Sequence, residues 1–409
     1  MRVAHICLIT PGHVSSCPRL MKEADALHEA GYQVTVVSGR NFPPVDVLDE
    51  AVIARARWQC IRVPTDKGTA IAWRRLSARA LGLLRGDRPC AGLNEALLVI
   101  SPAVPDLVRA AVGTDADIYH AHAVPGLAAA VLAARKTGQK YGFDAEDFHE
   151  QETTEVERSP RARSIVRQIM EAYLPGASVR TAASPLIAAA FEERYGCGMT
   201  TILNSFESVS ESARRRSDQA CSKEHPAKLY WFSQTIGPGR GLEQMVDALA
   251  LVKTPVRLQL RGFAGDRYRE ELTARAKKAN VALDFLAPAD PDDMVKLAAG
   301  ADIGLSLEQR EPENRNLCLT NKVFVYIAAG IPQLLSRTAA QEALAREIGA
   351  AGLLVDLEDA PAAAQKLDAL LSNTEQMQFA RAATTSAQER FGWPVERAKL
   401  VEAFRRALK

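Results

Sequence analysis

Thr320, Asn321 and Lys322 open a run that is otherwise apolar all round, LCLTNKVFVYIAAGIP (317–332), and the run stops at Gly330 and Pro332. This is the pattern of a short buried helix with a polar start and a glycine C-cap. Such a helix needs no solvated face, yet the backbone N–H groups of its first turn must find acceptors. The start combines free N–H groups, the positive end of a helix dipole and a cation, a combination that receives anions. The bland alternative is a helix that caps itself through Asn321. The same chemistry recurs in GPGRG (237–241). There Gly239 and its neighbours let backbone approach a phosphate, and Arg240 can grip it with a bidentate fork, although a plain tight turn would use the same glycines. Arg261, before Gly262 at the end of the next strand, is a further candidate cation.

The first half of the chain carries a different set. DIYHAH (117–122) reads as a strand with His122 at its end, and His120, two residues earlier, falls on the same face. A two-histidine metal pair would need further ligands, and no neighbouring residue supplies them convincingly, so no metal site is expected. FDAEDFHEQE (143–152) crowds Asp144, Glu146 and Asp147 at another strand end, where they either accept hydrogen bonds from ligand hydroxyls or form a charged, solvated loop. Gly12 follows the first strand, where a side chain would obstruct a ligand; the Pro11–Gly12 turn alone would also explain it.

These residues need a scaffold that gathers strand ends. Short β-rich runs alternate with helical patterns throughout. Strands are expected at Val3–Ile9, Gln33–Ser38, Asp117–His122, Lys140–Asp144, Ser178–Ala183 and Thr201–Leu203, then at Lys228–Phe232, Val256–Arg261, Ala282–Leu286, Asp302–Leu307 and Gln333–Ser336. A helix at Pro18–Ala30 is stopped by Gly31. This alternation implies α/β architecture, two Rossmann-like doubly wound domains with parallel sheets covered on both faces. The segment 205–228, almost without apolar residues, reads as the connection between them. In such folds ligands bind beyond the carboxyl ends of the strands, and two domains then face each other across a cleft.

The bulk numbers agree. A chain of 409 residues, 47% hydrophobic, can bury two cores. A net charge of +2 argues against a nucleic-acid partner. Seven cysteines with no CxxC pair indicate neither a disulfide framework nor a zinc site and fit a reducing cytoplasm. No stretch approaches the roughly 20 apolar residues of a membrane span, and VAHICLIT (3–10) reads as a strand rather than a signal peptide. One stretch stands apart. Residues 55–88 hold nine Arg/Lys against two Asp, net +7. Within them Trp73, Leu76, Ala80, Leu83 and Leu84 recur near helical spacing beside Arg74, Arg75, Arg79 and Arg85. A basic amphipathic helix of this kind lies on an anionic membrane surface, grips an acidic acceptor, or packs on its own domain.

Taken together and in order, several of these segments resemble family 4 of the retaining glycosyltransferases (glycosyl transferases group 1), which have the GT-B fold. They are ICLITPGHVSSCPRLMKEADALHEAGYQVTVVS (6–38), ADIYHAHAVPGLAAAVLAARKTGQKYGFDAEDFHEQE (116–152), TILNSF (201–206), YWFSQTIGPGRGLEQMVDAL (230–249), PADPDDMVKLAAGADIGLSL (288–307), LTNKVFVYIAAGIPQLL (319–335) and FGWPVERAKLVEAFRRAL (391–408). The resemblance implies an acceptor-side domain at 1–205, a nucleotide-sugar domain at 206–390, and a helix at 391–409 crossing back to the first domain. It implies transfer of a sugar from a nucleotide diphosphate sugar to a hydroxyl acceptor, sugar or lipid-linked, in glycoconjugate or polysaccharide assembly, without a metal or other cofactor. It gives catalytic roles to His122, Arg240 and Lys322, and donor contacts to Gly12, Gln234, Gly239, Arg261, Thr320 and Asn321. Asp144 and Glu146 fall on the acceptor side. The chain also departs from the family pattern. Gln234 stands where the family usually has Arg, Ala123 where it has Asp, and Leu317 and Val325 where it has the two glutamates of E-x7-E that hold the ribose. Glu308, Glu311 and Glu313 are the possible replacements, Glu308 first among them. These losses keep two alternatives open: a catalytically degenerate sugar-nucleotide-binding partner subunit, and a nucleotide-sugar 2-epimerase. The expected location is the cytoplasm, with peripheral contact at the inner membrane face through 55–88.

Overall fold

A computed structural model describes residues 2–65, 68–153, 159–210 and 221–409 of the chain. They form two units, Met1–Ile202 with Arg397–Lys409, and Leu203–Glu396.

The first unit is built on seven strands: β1 (His5–Thr10), β2 (Gln33–Arg40), β3 (Gln59–Pro64), β4 (Ile118–His122), β5 (Lys140–Ala145), β6 (Val179–Ala182) and β7 (Thr200–Thr201). Every pairing is parallel, in the order β3-β2-β1-β4-β5-β6-β7. β1 and β4 are buried along their whole length, as strands covered by helices on both faces must be. The winding changes direction between β1 and β4, so this sheet's switch point lies beyond Thr10 and His122.

The second unit repeats the plan with β8 (Ala227–Ile236), β9 (Val256–Ala264), β10 (Ala282–Leu286), β11 (Ile303–Ser306), β12 (Gln333–Ser336) and β13 (Gly352–Val355). Its order is β10-β9-β8-β11-β12-β13, again all parallel, with the switch point between β8 and β11. The all-apolar helix Asn321–Ala329 lies inside this unit, buried from Lys322 to Ala329. Its Tyr326 ring sits against β11 so closely that a Cβ on Gly304 would meet it at 2.2 Å. The Tyr326 hydroxyl donates toward the carbonyls of Tyr230 (2.9 Å) and Leu305 (3.2 Å).

Expected and observed elements differ in instructive places. β3 and β13 were not expected. β3 is an edge strand whose residues are mostly exposed or half-buried, so it lacks the apolar run that marks an interior strand. β13, four residues long, follows an alanine-rich helical stretch and merges with it by composition. β8 continues through a register irregularity between Phe232 and Thr235, which places Gln234 on the strand rather than in the loop. The segment 205–228 is not a free connection over its first residues. Phe206 and Val209 pack on the cluster around Tyr230 and Val325, and the Val209 N–H bonds the Ala328 carbonyl at 3.1 Å. Residues 211–220 of that segment, and Asp66 and Lys67 of the basic stretch, lie outside the described residues.

Candidate functional site

At the switch point of the second unit, the turn after β8 holds Arg240 between Gly239 (φ 71°) and Gly241 (φ 73°). Both flanking backbones are left-handed, which glycine adopts without steric cost. Gly241 then starts the helix Leu242–Leu249. The turn abuts the segment leaving β11: a Cβ on Gly241 would lie 3.4 Å from that of Leu307. Arg315 Nη1 donates to the Gly239 carbonyl at 3.0 Å and braces the turn from the other side. Arg240 itself is half-buried and makes no hydrogen bond or ion pair with another described residue. A guanidinium held by two glycines at a strand end, without a counter-ion among the described residues, can receive an anion.

The start of the Asn321–Ala329 helix is tied to the same segment leaving β11, through Glu308. Thr320 stands at the N-cap with no side-chain capping bond, and its buried Oγ1 has no partner among the described residues. Asn321 does not cap the helix either, because its Oδ1 accepts from Asn204 Nδ2 at 2.6 Å. The self-capped alternative is therefore not the one observed. Lys322 Nζ donates to Glu308 Oε1 at 3.0 Å, both groups buried, and lies 5.4 Å from the Trp231 ring centre.

This arrangement redistributes the expected roles. Lys322 is already neutralised by Glu308, so the cation with charge to spare is Arg240. Glu308 in turn spends one carboxylate oxygen on Lys322 rather than standing free for a ribose hydroxyl. Val325 is enclosed in an apolar cluster with Tyr230, Met294 and Ala298, and no hydroxyl can bond there. Glu313 sits in the first turn of the helix Glu313–Leu317, of which Leu317 is the last residue. Arg261 is engaged within its own unit, donating to Tyr230 Oη (2.8 Å) and the Ala287 carbonyl (2.7 Å). Gly262 beside it has a packing role, since a Cβ there would meet the Ser233 carbonyl at 2.2 Å. Gln234 is exposed at the bulge of β8.

In the first unit, the strand ends of β4 and β5 gather a buried charged cluster. Arg19, from the helix Pro18–Glu29, forks onto Asp144 (Nε–Oδ2 2.6 Å, Nη2–Oδ1 2.8 Å) and donates Nη1 to the Ile202 carbonyl at 2.7 Å. Thr181 Oγ1 also donates to Asp144 Oδ1. Burial opposes the Asp144 charge, but Arg19 outweighs it and holds the carboxyl below the usual carboxylate range. The expectation that Asp144 contacts an acceptor hydroxyl is thus corrected: its oxygens are committed to Arg19 and Thr181. Glu146 is different. It is half-buried and makes no hydrogen bond with another described residue. Burial first, and then the Asp147 charge, push its carboxyl above the ordinary value.

His122 closes β4 with Nε2 3.0 Å from Glu23 Oε2 and Nδ1 3.5 Å from Asp144 Oδ2. Burial works against its imidazolium, yet Glu23 prevails and raises its pKa well above 6.5. For His120 burial wins and the pKa falls; its Nε2 lies 3.4 Å from Glu23 Oε1 and its ring packs edge-on to Phe404, centroids 5.0 Å apart. Glu23, His120 and His122 bring one ligand atom each within 4.8 Å of one another, so Glu23 supplies the third ligand that the sequence had left unassigned. Among the three, only His122 Nε2 and Glu23 Oε2 are hydrogen-bonded; Glu23 Oε1 and both ring nitrogens of His120 are buried without a hydrogen-bond partner among the described residues. His13, Asp46 and Asp49 form a second such group, but it is internally occupied. His13 Nδ1 bonds Asp49 at 2.7 Å, its Nε2 accepts from the Phe42 N–H at 3.0 Å, and Asp46 is gripped by Arg40 and Arg62. At Gly12 a Cβ would meet nothing within 4 Å: the space beyond β1 is open, and the residue is not forced to be glycine by packing.

Arg19 and Glu23 were not singled out from the sequence. They sit four apart on an amphipathic helix and read as a solvated face; their partners lie 125 and 99 positions away. Only the surplus of acids and histidines at the ends of β4 and β5 hinted that a cation was needed.

Comparison with known proteins supports the architecture. Residues 242–399 match the family model described as glycosyl transferase-like. No curated protein matches the sequence. Among solved structures, the chain is similar to HepE of Anabaena in complex with UDP and glucose, at 16% identity and a TM-score of 0.69, covering 98% of this chain and 99% of that one. It is similar to a glycosyltransferase of Rickettsia africae ESF-5, at 13% identity, a TM-score of 0.70 and 100% of both chains. It is also similar to a sucrose-phosphate synthase of Thermosynechococcus elongatus, at 15% identity and a TM-score of 0.69, covering 98% of both. With its two parallel sheets of seven and six strands, the chain has the GT-B fold, two Rossmann-like domains.

Proposed function

We propose that the protein is a glycosyltransferase of the retaining type, which moves a sugar from a nucleotide diphosphate sugar to a hydroxyl acceptor without a metal. The observation that carries this reading is Arg240, a guanidinium without a counter-ion among the described residues, in a glycine turn at the switch point of the unit that also holds an uncapped helix start. Breaking a sugar–phosphate bond leaves charge on the diphosphate. Preorganised donors aimed at that charge are worth more in the transition state than in the ground state. Arg240, the Thr320 hydroxyl and the free N–H groups of residues 321–322 supply such donors, and Lys322 holds the helix start in place through Glu308. The similar Anabaena structure contains UDP and glucose, which supports a nucleotide sugar as donor here.

The acceptor side falls to the first unit. Glu146 is the carboxyl there with bonding capacity to spare, while the Arg19–Asp144–His122–Glu23 cluster fixes the end of β4 that presents His122. We assign retention from the family resemblance: the departing phosphate assists attack on the same face and no covalent nucleophile is used. A second reading, a non-catalytic nucleotide-sugar binder, draws on Val325, whose apolar burial removes a ribose contact. Incubation with a panel of nucleotide sugars and saccharide acceptors tests both. Transfer that survives EDTA, giving a product whose anomeric proton coupling matches that of the donor, is the expected outcome. Inversion would overturn the retaining assignment, and binding without turnover would favour the second reading.

A further inference from the structure

We propose that the helix Thr69–Arg85 is a docking ridge that lies on an anionic membrane surface and inserts Trp73, Leu76, Leu83 and Leu84. Its inner side is settled by its contacts. Ile71 is buried, Arg74 pairs with Asp106 at 2.7 Å, and Arg85 pairs with Glu95 at 3.4 Å. Residues 71, 74, 78 and 85 therefore define one helical face, the one packed on the unit. The opposite face carries Trp73, Leu76, Ala80, Leu83 and Leu84. The four large side chains are 69%, 57%, 88% and 82% exposed. Exposed leucines scattered singly need no explanation, but a contiguous apolar ridge on one helix does.

Charge selects the occupant. The helix contains four arginines and no acidic residue. Arg79 flanks the ridge, exposed and without an ion pair among the described residues, and Arg88 is exposed just beyond the helix. Exposed arginines at the flank and the end of an apolar ridge complement a bilayer surface rich in anionic headgroups. A second copy of the chain fits less well, because two-fold pairing of the ridge would set its arginines against one another. A single convex ridge is also narrow beside the roughly 800 Å² per partner of a stable protein interface. No helix among the described residues is long and apolar enough to cross a membrane, so the ridge lies on the surface rather than spanning it.

Flotation of the full-length protein with vesicles tests this. Wild type is expected to float with phosphatidylcholine–phosphatidylglycerol vesicles and not with phosphatidylcholine alone. L83S/L84S and, separately, R79E should each lower the bound fraction by about tenfold, with unchanged circular dichroism and melting temperature. Trp73 emission, taken as the difference between wild type and W73F, should shift to the blue on binding. Equal binding to both vesicle types, or binding unchanged in both variants, would overturn the proposal. So would a concentration-dependent dimer lost in L83S/L84S with no flotation at all, which would give the ridge to a second copy.

Discussion

Two arginines show how the same side chain does opposite work. Arg19 is buried and paired, and its fork on Asp144 is part of the fold. Replacing Asp144 by Asn leaves a buried guanidinium uncompensated, so it should cost about 3–5 kcal/mol of stability, read as a lower urea midpoint. Arg240 has no counter-ion among the described residues, and Arg240→Ala should leave that midpoint nearly unchanged while lowering turnover by about 10²–10³. A stability loss on the scale of the Asp144 variant would show instead that Arg240 is structural. Glu146→Gln belongs with Arg240: it should melt like wild type and raise the acceptor KM more than the donor KM. His122 adds a pH signature. Its charged form is favoured in the folded protein, so the stability it contributes is complete below its ordinary value of 6.5 and is lost as pH rises through the raised value. Wild type should therefore lose stability above neutrality faster than His122→Gln, in paired denaturation curves. Parallel curves would contradict the charged histidine.

At the scale of elements, the Asn321–Ala329 helix is where sequence and structure agree best. Its apolar composition could only be satisfied inside a sheet-covered core, and its Gly330 end is left-handed as a C-cap requires (φ 71°). What the sequence could not show is how its start is used, because Glu308, Asn204 and Trp231 reach it from distant positions. Its packing gives a sharp test. Gly304→Ala would drive a methyl into the Tyr326 ring, and overpacking of this kind costs about 1–3 kcal/mol. A variant as stable as wild type would mean the helix shifts freely on β11. The strands divide the same way. β1, buried on both faces, was legible as a nearly continuous apolar run, whereas edge strand β3 hid in a basic stretch because one strand edge and much of its surface face water. The strand-end residues His122, Asp144 and Arg240 were legible as a set, but which of them is spent on the fold was not, since that depends on Arg19 and Glu23 arriving from another element.

For the molecule as a whole, both units use one logic: a parallel sheet wound outward from a central pair, with the candidate site residues at or beyond the carboxyl ends of that pair. Gly12 follows β1 and His122 closes β4; Arg240 and Glu308 follow β8 and β11. Alternating strand and helix signals were enough to read this plan from the chain, whereas the donor and the acceptor depend on individual contacts that the alternation does not encode. The central claim is that the second unit binds a nucleotide diphosphate through Arg240. The direct measurement is a thermal shift of the full-length protein with UDP, GDP, ADP and dTDP and with their sugar conjugates, with Arg240→Ala alongside. A ligand at about 100 times its dissociation constant adds about 2.7 kcal/mol of stability. The account predicts that one nucleotide series shifts the wild type by that order and fails to shift the variant. An equal shift in both proteins, or none across the panel, would contradict it.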